Sequence, residues 1–156
     1  SGKTAIGRKL ARDLQWELID TDQQIRAAHP GLSIAEIFER EGEPYFRERE
    51  MELLRDVESV KEPVVVATGG GLPAIPGAMD RIEQLGVSVY LHAGIDDLWL
   101  RLIGDLEDRP LLRNGGRKRL EELIEARDSV YRRATISIDT SRLTVDAVVR
   151  LLSARL

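Results

Sequence analysis

Short apolar runs alternate with longer amphipathic segments along this 156-residue chain, and this alternation restricts the fold more than any other feature. The clearest run is Val64-Val65-Val66-Ala67, which follows Pro63 and ends just before three glycines. A short, wholly apolar run bounded by turn residues is typical of a strand buried on both faces of a parallel sheet. Because helices connect such strands, the pattern predicts an α/β fold with a parallel sheet.

The same patterns predict the order of the elements. We expect strands over residues 16–19, 63–68, 87–91 and 136–138. After a first helix that opens the chain, we expect helices over 33–41, 44–60, 77–85, 95–103, 119–134 and 144–156. Ser33 and Glu36 have the spacing of a capping box. No linker, repeat or low-complexity tract interrupts the chain, so we expect one domain over 1–156, with a lid loop over about 107–118.

Composition excludes several classes of protein. Hydrophobic residues make up 42% of the chain and charged residues 32%, as in ordinary globular domains. No apolar run approaches the ~20 residues of a membrane span. A net charge of −4 gives no sign of the positive charge that proteins use to bind nucleic acid. The chain has no cysteine, which excludes disulfides and thiolate metal sites and fits a reducing compartment. We therefore expect a cytoplasmic protein that binds neither membrane nor nucleic acid. A monomer is a separate expectation, which the composition does not establish.

Gly2-Lys3-Thr4 matches the end of the phosphate-binding loop pattern G-x-x-x-x-G-K-[ST]. In such a loop the glycine N–H groups point at phosphate oxygens, the lysine reaches the β and γ phosphates, and the hydroxyl binds Mg²⁺. The loop must open a helix, and apolar residues at helical spacing follow at once: Ala5, Ile6, Leu10, Ala11 and Leu14. We expect about ten further residues, a strand and the start of the loop, to precede Ser1.

Asp20 and Asp22 follow the strand predicted at 16–19, at the edge where α/β sheets bind ligands. If the strand pattern continues, their spacing of two sends both side chains the same way. Beside a magnesium nucleotide, one carboxylate can hold metal-bound water while the other orients or deprotonates a substrate hydroxyl. The alternative is a solvated turn or a helix cap.

Gly69-Gly70-Gly71 comes directly after the buried strand at 63–68. Three consecutive glycines are costly in conformational entropy, and a plain tight turn rarely needs them. We expect the main chain here to approach a ligand closely and to present N–H donors; the alternative is a simple turn.

Arginines supply the remaining candidates. Arg47 and Glu50 are neighbours on one predicted helix, so Glu50 could orient Arg47, although a solvated salt-bridge face has the same pattern. Arg109 lies in the predicted lid loop, where an arginine can offset the charge that develops during phosphoryl transfer. The alternative for Arg109 is a surface loop residue.

Taken in order, these motifs resemble shikimate kinase along essentially the whole chain. The matching segments are Gly2-Lys3-Thr4, Leu18-Ile19-Asp20-Thr21-Asp22, Ser33-Ile34-Ala35-Glu36-Ile37-Phe38, Phe46-Arg47, Gly69-Gly70-Gly71, Arg109-Pro110-Leu111-Leu112, and Arg127 four residues before Tyr131. The resemblance implies transfer of the γ-phosphate of ATP to the 3-hydroxyl of shikimate, in the route to chorismate and the aromatic amino acids. It also implies a P-loop kinase, a three-layer sandwich with helices on both faces of a five-stranded parallel sheet whose first, central strand would precede Ser1.

The resemblance further implies a role for each matching residue. Gly2, Lys3, Thr4, Arg109 and Arg142 would bind the nucleotide, and Thr4 and Asp20 would hold Mg²⁺. The catalytic residues would be Lys3, Asp22 and Arg109. Shikimate would contact Asp22, Arg47, Gly69, Gly70, Gly71 and Arg127, with Glu50 steering Arg47 and with Ile34, Phe38 and Phe46 forming the wall of its pocket. The family often has a second basic residue beside two arginines where this chain has Leu102 after Arg101 and Leu143 after Arg142.

Two alternatives remain open at this point. One is a gluconate-type small-molecule kinase of the same fold, whose signature includes His-Pro; here His29-Pro30 stands without the rest of it. The other is a kinase-like, ligand-sensing module of a transcriptional regulator, against which the intact Asp-Thr-Asp and Arg-Pro-Leu-Leu segments argue.

Overall fold

The structure is a computed structural model that describes residues 2–103, 110–112 and 115–156. Within those residues it contains four strands and eight α-helices. The strands are β1 (Glu17–Asp20), β2 (Val64–Ala67), β3 (Val89–His92) and β4 (Ile136–Asp139). The helices are α1 (Lys3–Leu14), α2 (Thr21–Ala27), α3 (Ile34–Glu41), α4 (Glu43–Glu58), α5 (Ala78–Leu85), α6 (Ile95–Leu102), α7 (Gly116–Tyr131) and α8 (Val145–Ser153).

The strands form two parallel pairs. β1 pairs with β2, so that Asp20 lies opposite Ala67, and β3 pairs with β4, so that His92 lies opposite Asp139. The predicted α/β fold with parallel strands is therefore confirmed. Because paired parallel strands end at the same edge, the segments that follow Asp20 and Ala67 emerge side by side, and both candidate acidic and glycine motifs lie at that edge.

One apolar cluster joins the two strand pairs. Its buried members come from α1, α8 and β4: Ile6, Leu10, Ile136, Ile138, Val148, Val149 and Leu152. Val65 of β2 and Val89 of β3 pack against this cluster from the two different pairs. Burial of this apolar surface holds the two pairs on a common core.

Helices α2, α3 and α4 form a second apolar cluster, on Ile25, Ile37 and Phe46. The predicted capping box at the start of α3 is confirmed, since Ser33 Oγ accepts from the Glu36 N–H and the Glu36 carboxylate accepts from the Ser33 N–H. This packing sets the position of α4, the helix that carries the arginine and glutamate at residues 47 and 50.

Two segments differ from the sequence prediction. Residues 21–27 form α2, which the apolar pattern does not predict, and Asp20 caps that helix by accepting from the Gln23 N–H at 3.1 Å. The strand pattern therefore does not continue through Asp22, and Asp20 is the helix cap that the sequence analysis gave as the alternative. In addition, α7 begins at Gly116 rather than at residue 119, and Pro110–Leu112 forms a 3-10 turn inside the predicted lid loop. The rest of that loop, residues 107–109 and 113–114, lies outside the described residues.

No helix in the part of the chain that the structure describes is long and apolar enough to cross a membrane.

Candidate active site

The first turn of α1 has the local geometry of an anion site. Gly2 precedes the helix with φ +83°, in the left-handed region that glycine adopts without strain, and Lys3 and Thr4 are the first two helical residues. The first N–H groups of a helix lack partners within the helix and carry the positive end of its dipole. This turn is therefore suited to bind phosphate oxygens, as the sequence predicts for residues 2–4.

Thr4 and Asp20 lie next to each other, although fifteen residues separate them in the chain. The Thr4 hydroxyl donates a hydrogen bond to Asp20 Oδ2 at 2.9 Å, and Asp20 is buried. These are the two residues predicted to hold Mg²⁺, and both offer oxygen, the donor that this ion prefers. No group of three or more histidines or acidic residues within the described ranges forms a metal cage. The pair therefore fits an ion that takes its other ligands from phosphate and water.

Gly69, Gly70 and Gly71, which follow β2 and are called the glycine turn below, lie directly against two carboxylates. A Cβ atom at Gly69 would be 2.5 Å from Glu50 Oε1 and 2.6 Å from Asp22 Oδ1, closer than real Cβ contacts allow. The Gly69 N–H donates to the Thr21 hydroxyl at 2.8 Å. Close approach of the main chain thus accounts for this glycine, but its N–H is already engaged by a side chain of the protein.

Arg47 lies against the third residue of the same turn. A Cβ atom at Gly71 would be 2.3 Å from Arg47 Nη1. Arg47 Nη1 donates to Glu50 Oε2 at 2.5 Å and Nη2 donates to Glu43 Oε1 at 3.0 Å. The predicted contact between Glu50 and Arg47 is therefore confirmed, and the ring of Phe38 lies 5.7 Å from the guanidinium carbon.

Glu50 is completely buried, and its Oε1 atom has no hydrogen-bond partner among the described residues. Burial raises the pKa of its carboxyl above the usual glutamate value, while Arg47 acts in the opposite direction. Asp22 also raises the pKa of Glu50, and Arg127 lowers it. These influences mark Asp22, Arg47, Glu50 and Arg127 as one electrostatic group around the glycine turn. A small anion bearing hydroxyls fits such a mixture of cations and acceptors.

Tyr131 joins α7 to the same turn and is the residue that the sequence analysis missed. Its hydroxyl donates to the carbonyl oxygen of Gly70 at 2.5 Å, and Arg127 lies one helical turn before it on α7. The sequence analysis used Tyr131 only as a spacing marker for Arg127. The four-residue spacing was nevertheless a usable signal, because it places the two side chains on one face of a helix.

The remaining predicted residues lie elsewhere. Arg142 is exposed in the turn after β4, where it lines an open cavity with Asp97, Asp139, Ser141 and Leu143. Arg101, on α6, donates to both the hydroxyl and the carbonyl oxygen of Thr140 beside that cavity. The predicted lid arginine, Arg109, lies outside the described residues. The candidate residues that the structure describes therefore lie at three places: the glycine turn after β2, the first turn of α1, and the cavity after β4.

Comparison with known proteins gives one consistent family. The family model described as shikimate kinase matches residues 1–156. Shikimate kinase from Burkholderia lata is 42% identical to this chain, and the match covers all of this chain and 84% of that protein. The shikimate kinase from Cereibacter sphaeroides is also 42% identical, and the match covers 94% of this chain and 72% of that protein. The solved structure of shikimate kinase from Acinetobacter baumannii in complex with shikimate has a TM-score of 0.87 at 34% identity, and covers 99% of this chain and 89% of that one.

These comparisons confirm the resemblance read from the ordered motifs. They favour neither of the two alternatives, the gluconate-type kinase and the sensor module. The chain belongs to the shikimate kinase family.

Proposed function

We propose that this chain uses ATP to phosphorylate the 3-hydroxyl of shikimate, producing shikimate 3-phosphate on the route to chorismate and the aromatic amino acids. The observation that carries the proposal is the glycine turn after β2, which lies against Asp22, Glu50 and Arg47 at the sheet edge shared with Asp20 and Thr4. One edge of a sheet thus offers both cations for a carboxylate and acceptors for hydroxyls, beside a helix N-terminus suited to phosphate.

At the nucleotide end, the N–H groups around Gly2 and the ammonium of Lys3 bind the phosphates of ATP. Thr4 and Asp20 would hold Mg²⁺, which would neutralise phosphate charge. The cavity after β4 that Arg142 lines receives the adenosine portion.

At the acceptor end, Arg47 and Arg127 bind the carboxylate of shikimate. Glu50 keeps the Arg47 guanidinium in place through the bond at Oε2. Asp22 accepts a hydrogen bond from the reacting hydroxyl, and the Gly70 and Gly71 N–H groups serve as donors. Gly69 shapes the turn but is excluded as a donor, because Thr21 accepts from its N–H.

In the chemical step, the 3-hydroxyl oxygen forms a bond to the γ-phosphorus while the bond from that phosphorus to the departing ADP oxygen breaks. The hydroxyl proton passes to the carboxylate of Asp22. Lys3 and Arg109 offset the charge that develops on the transferred group. Closure of the lid at about 107–118 over the single domain 1–156 excludes water, which otherwise competes with shikimate as the acceptor.

We expect this site to lie at the edge of a five-stranded parallel sheet. The two strand pairs share one apolar cluster but are not hydrogen-bonded to each other within the described residues. A central parallel strand between them, leading into the phosphate loop at Gly2, would complete the sheet. The cytoplasmic location and the monomeric state stay predictions.

The test is ADP release from ATP with Mg²⁺ and shikimate, gluconate or no acceptor. We expect release that depends on shikimate alone. Asp22→Asn should bind ATP normally and lose most turnover, whereas Asp13→Asn, on the exposed side of α1, should behave like the wild type. Release with gluconate, or full turnover by Asp22→Asn, would contradict the proposal.

A further inference from the structure

The middle residue of the glycine turn is positioned differently from its neighbours. Gly69 is held between Thr21, Asp22 and Glu50, and Gly71 lies against Arg47. At Gly70, by contrast, a Cβ atom would meet nothing within 4 Å. The contact that the described residues give Gly70 is the hydrogen bond from the Tyr131 hydroxyl to its carbonyl oxygen.

That bond has a consequence for the next N–H group. The peptide between Gly70 and Gly71 is planar, and no cis peptide occurs among the described residues. In a trans peptide the C=O and N–H bonds point in opposite directions. Because Tyr131 holds the Gly70 carbonyl on its own side, the Gly71 N–H is directed away from Tyr131.

Tyr131 is supported by a row of aromatic rings. Its ring packs on the ring of Tyr90, with 5.1 Å between centroids, and the Tyr90 ring lies 5.4 Å from that of His92 at the end of β3. Burial raises the pKa of the Tyr131 hydroxyl, so the group stays protonated at neutral pH and keeps its donor hydrogen. A glycine peptide, which has great conformational freedom of its own, is thus held by a donor anchored on β3 and α7.

We propose that Tyr131 is a positioning residue for shikimate binding, which orients the Gly70–Gly71 peptide so that the Gly71 N–H is available to the acceptor substrate. Tyr131 acts through that peptide and contacts no reacting atom. The inference rests on the proposed function, since it names what keeps the glycine turn ready for shikimate.

The experiment compares Tyr131→Phe with Tyr90→Phe. Tyr131→Phe removes the donor to Gly70 and keeps the ring. Tyr90→Phe removes the hydroxyl of the neighbouring ring, and that hydroxyl lies 3.5 Å from Asp128 Oδ1. For Tyr131→Phe we expect the KM for shikimate to rise about fivefold, the change typical of one neutral hydrogen bond, with kcat and the KM for ATP within twofold. Tyr90→Phe should leave all three constants within twofold.

A readout without turnover separates this proposal from the proposed function. In the ligand-free protein, the NMR order parameter of the Gly71 N–H should be lower in Tyr131→Phe than in the wild type, and should be unchanged in Tyr90→Phe. An unchanged order parameter at Gly71 would overturn the positioning role whatever the KM for shikimate, because the Tyr131 hydroxyl also interacts with Arg127 and could change that KM through it. Equal losses in both variants, or a parallel rise in the KM for ATP, would also overturn it, because they would indicate general packing. If the wild type releases no ADP with shikimate, the proposed function fails while the amide result still tests the held peptide.

Discussion

At Gly69 the main chain passes so close to a carboxylate oxygen of the buried Glu50 and one of the half-buried Asp22 that a methyl group has no room. Gly69→Ala would place Cβ 2.5 Å from Glu50 Oε1 and 2.6 Å from Asp22 Oδ1, whereas Gly70→Ala would meet nothing within 4 Å. We expect Gly69→Ala to lower the free energy of unfolding by about 1–3 kcal/mol, the range of overpacking, and Gly70→Ala to change it by less than about 0.5 kcal/mol. Urea denaturation of the ligand-free proteins measures both. Equal stability of the two variants would show that the carboxylates move aside freely.

Glu50 supplies a prediction on pH. Because burial raises its pKa, the folded chain holds the Glu50 proton more tightly than the unfolded chain does. Through linkage, its contribution to the free energy of unfolding is greatest below the usual glutamate pKa, and is progressively lost as pH rises from there through the folded-state pKa. Glu50→Gln lacks this titration. The stability of the wild type relative to Glu50→Gln should therefore decline as pH is raised.

Urea denaturation at a series of pH values between about 4 and 7 gives this difference directly. Glu125→Gln, which removes an exposed carboxylate from α7, corrects for the general effect of losing one negative charge. A difference that grows with pH would mean that the ion pair with Arg47 outweighs burial and that the pKa of Glu50 is lowered instead.

At the scale of elements, the two arginines proposed to bind the shikimate carboxylate lie on two different helices. Arg47 comes from α4, whose position depends on the apolar cluster with α2 and α3, and Arg127 comes from α7. The local sequence pattern showed where each arginine lies on its own helix. It did not show that α4 and α7 meet at one glycine turn, because that meeting depends on how each helix packs against the rest of the molecule.

Arg127→Ala tests the α7 side of this arrangement. We expect the KM for shikimate to rise at least tenfold, since a charged hydrogen bond contributes roughly 1.5–3 kcal/mol and each 1.4 kcal/mol is tenfold. The KM for ATP should stay within twofold. Arg132→Ala, which removes an exposed arginine paired with Asp128 on the same helix, is the matched control and should leave both constants unchanged. A change confined to the KM for ATP would place Arg127 at the nucleotide instead.

Helix α2 shows where element prediction failed and why. The apolar pattern of residues 21–27 is too short to indicate a helix, and for the two aspartates a helix cap was considered only as an alternative. The informative signal was Asp20 itself, an aspartate that accepts from the N–H three residues later. Capping decides the structure here because the cap satisfies a main-chain donor that a short helix otherwise leaves unpaired.

At the scale of the whole molecule, α8 packs on both strand pairs through the shared apolar cluster. Leu152 is 2% exposed within that cluster, whereas its neighbour Leu151 is 40% exposed. Leu152→Ala should lower the free energy of unfolding by about 2–5 kcal/mol, as for other buried leucines, and Leu151→Ala by less than about 1 kcal/mol. Denaturant unfolding measures both. Similar losses at the two positions would mean that α8 does not form part of the common core.

The sequence by itself determined most of the element order, the parallel α/β class, the Gly-Lys-Thr motif that opens α1 and the family, because periodicity, capping and short motifs are local properties of the chain. Only the tertiary structure decided that Gly69 approaches Asp22 and Glu50, that the Gly69 N–H is engaged by Thr21, and that Tyr131 reaches Gly70. These contacts join residues far apart in the chain. They depend on strand register and on the packing of whole helices, which no local pattern encodes.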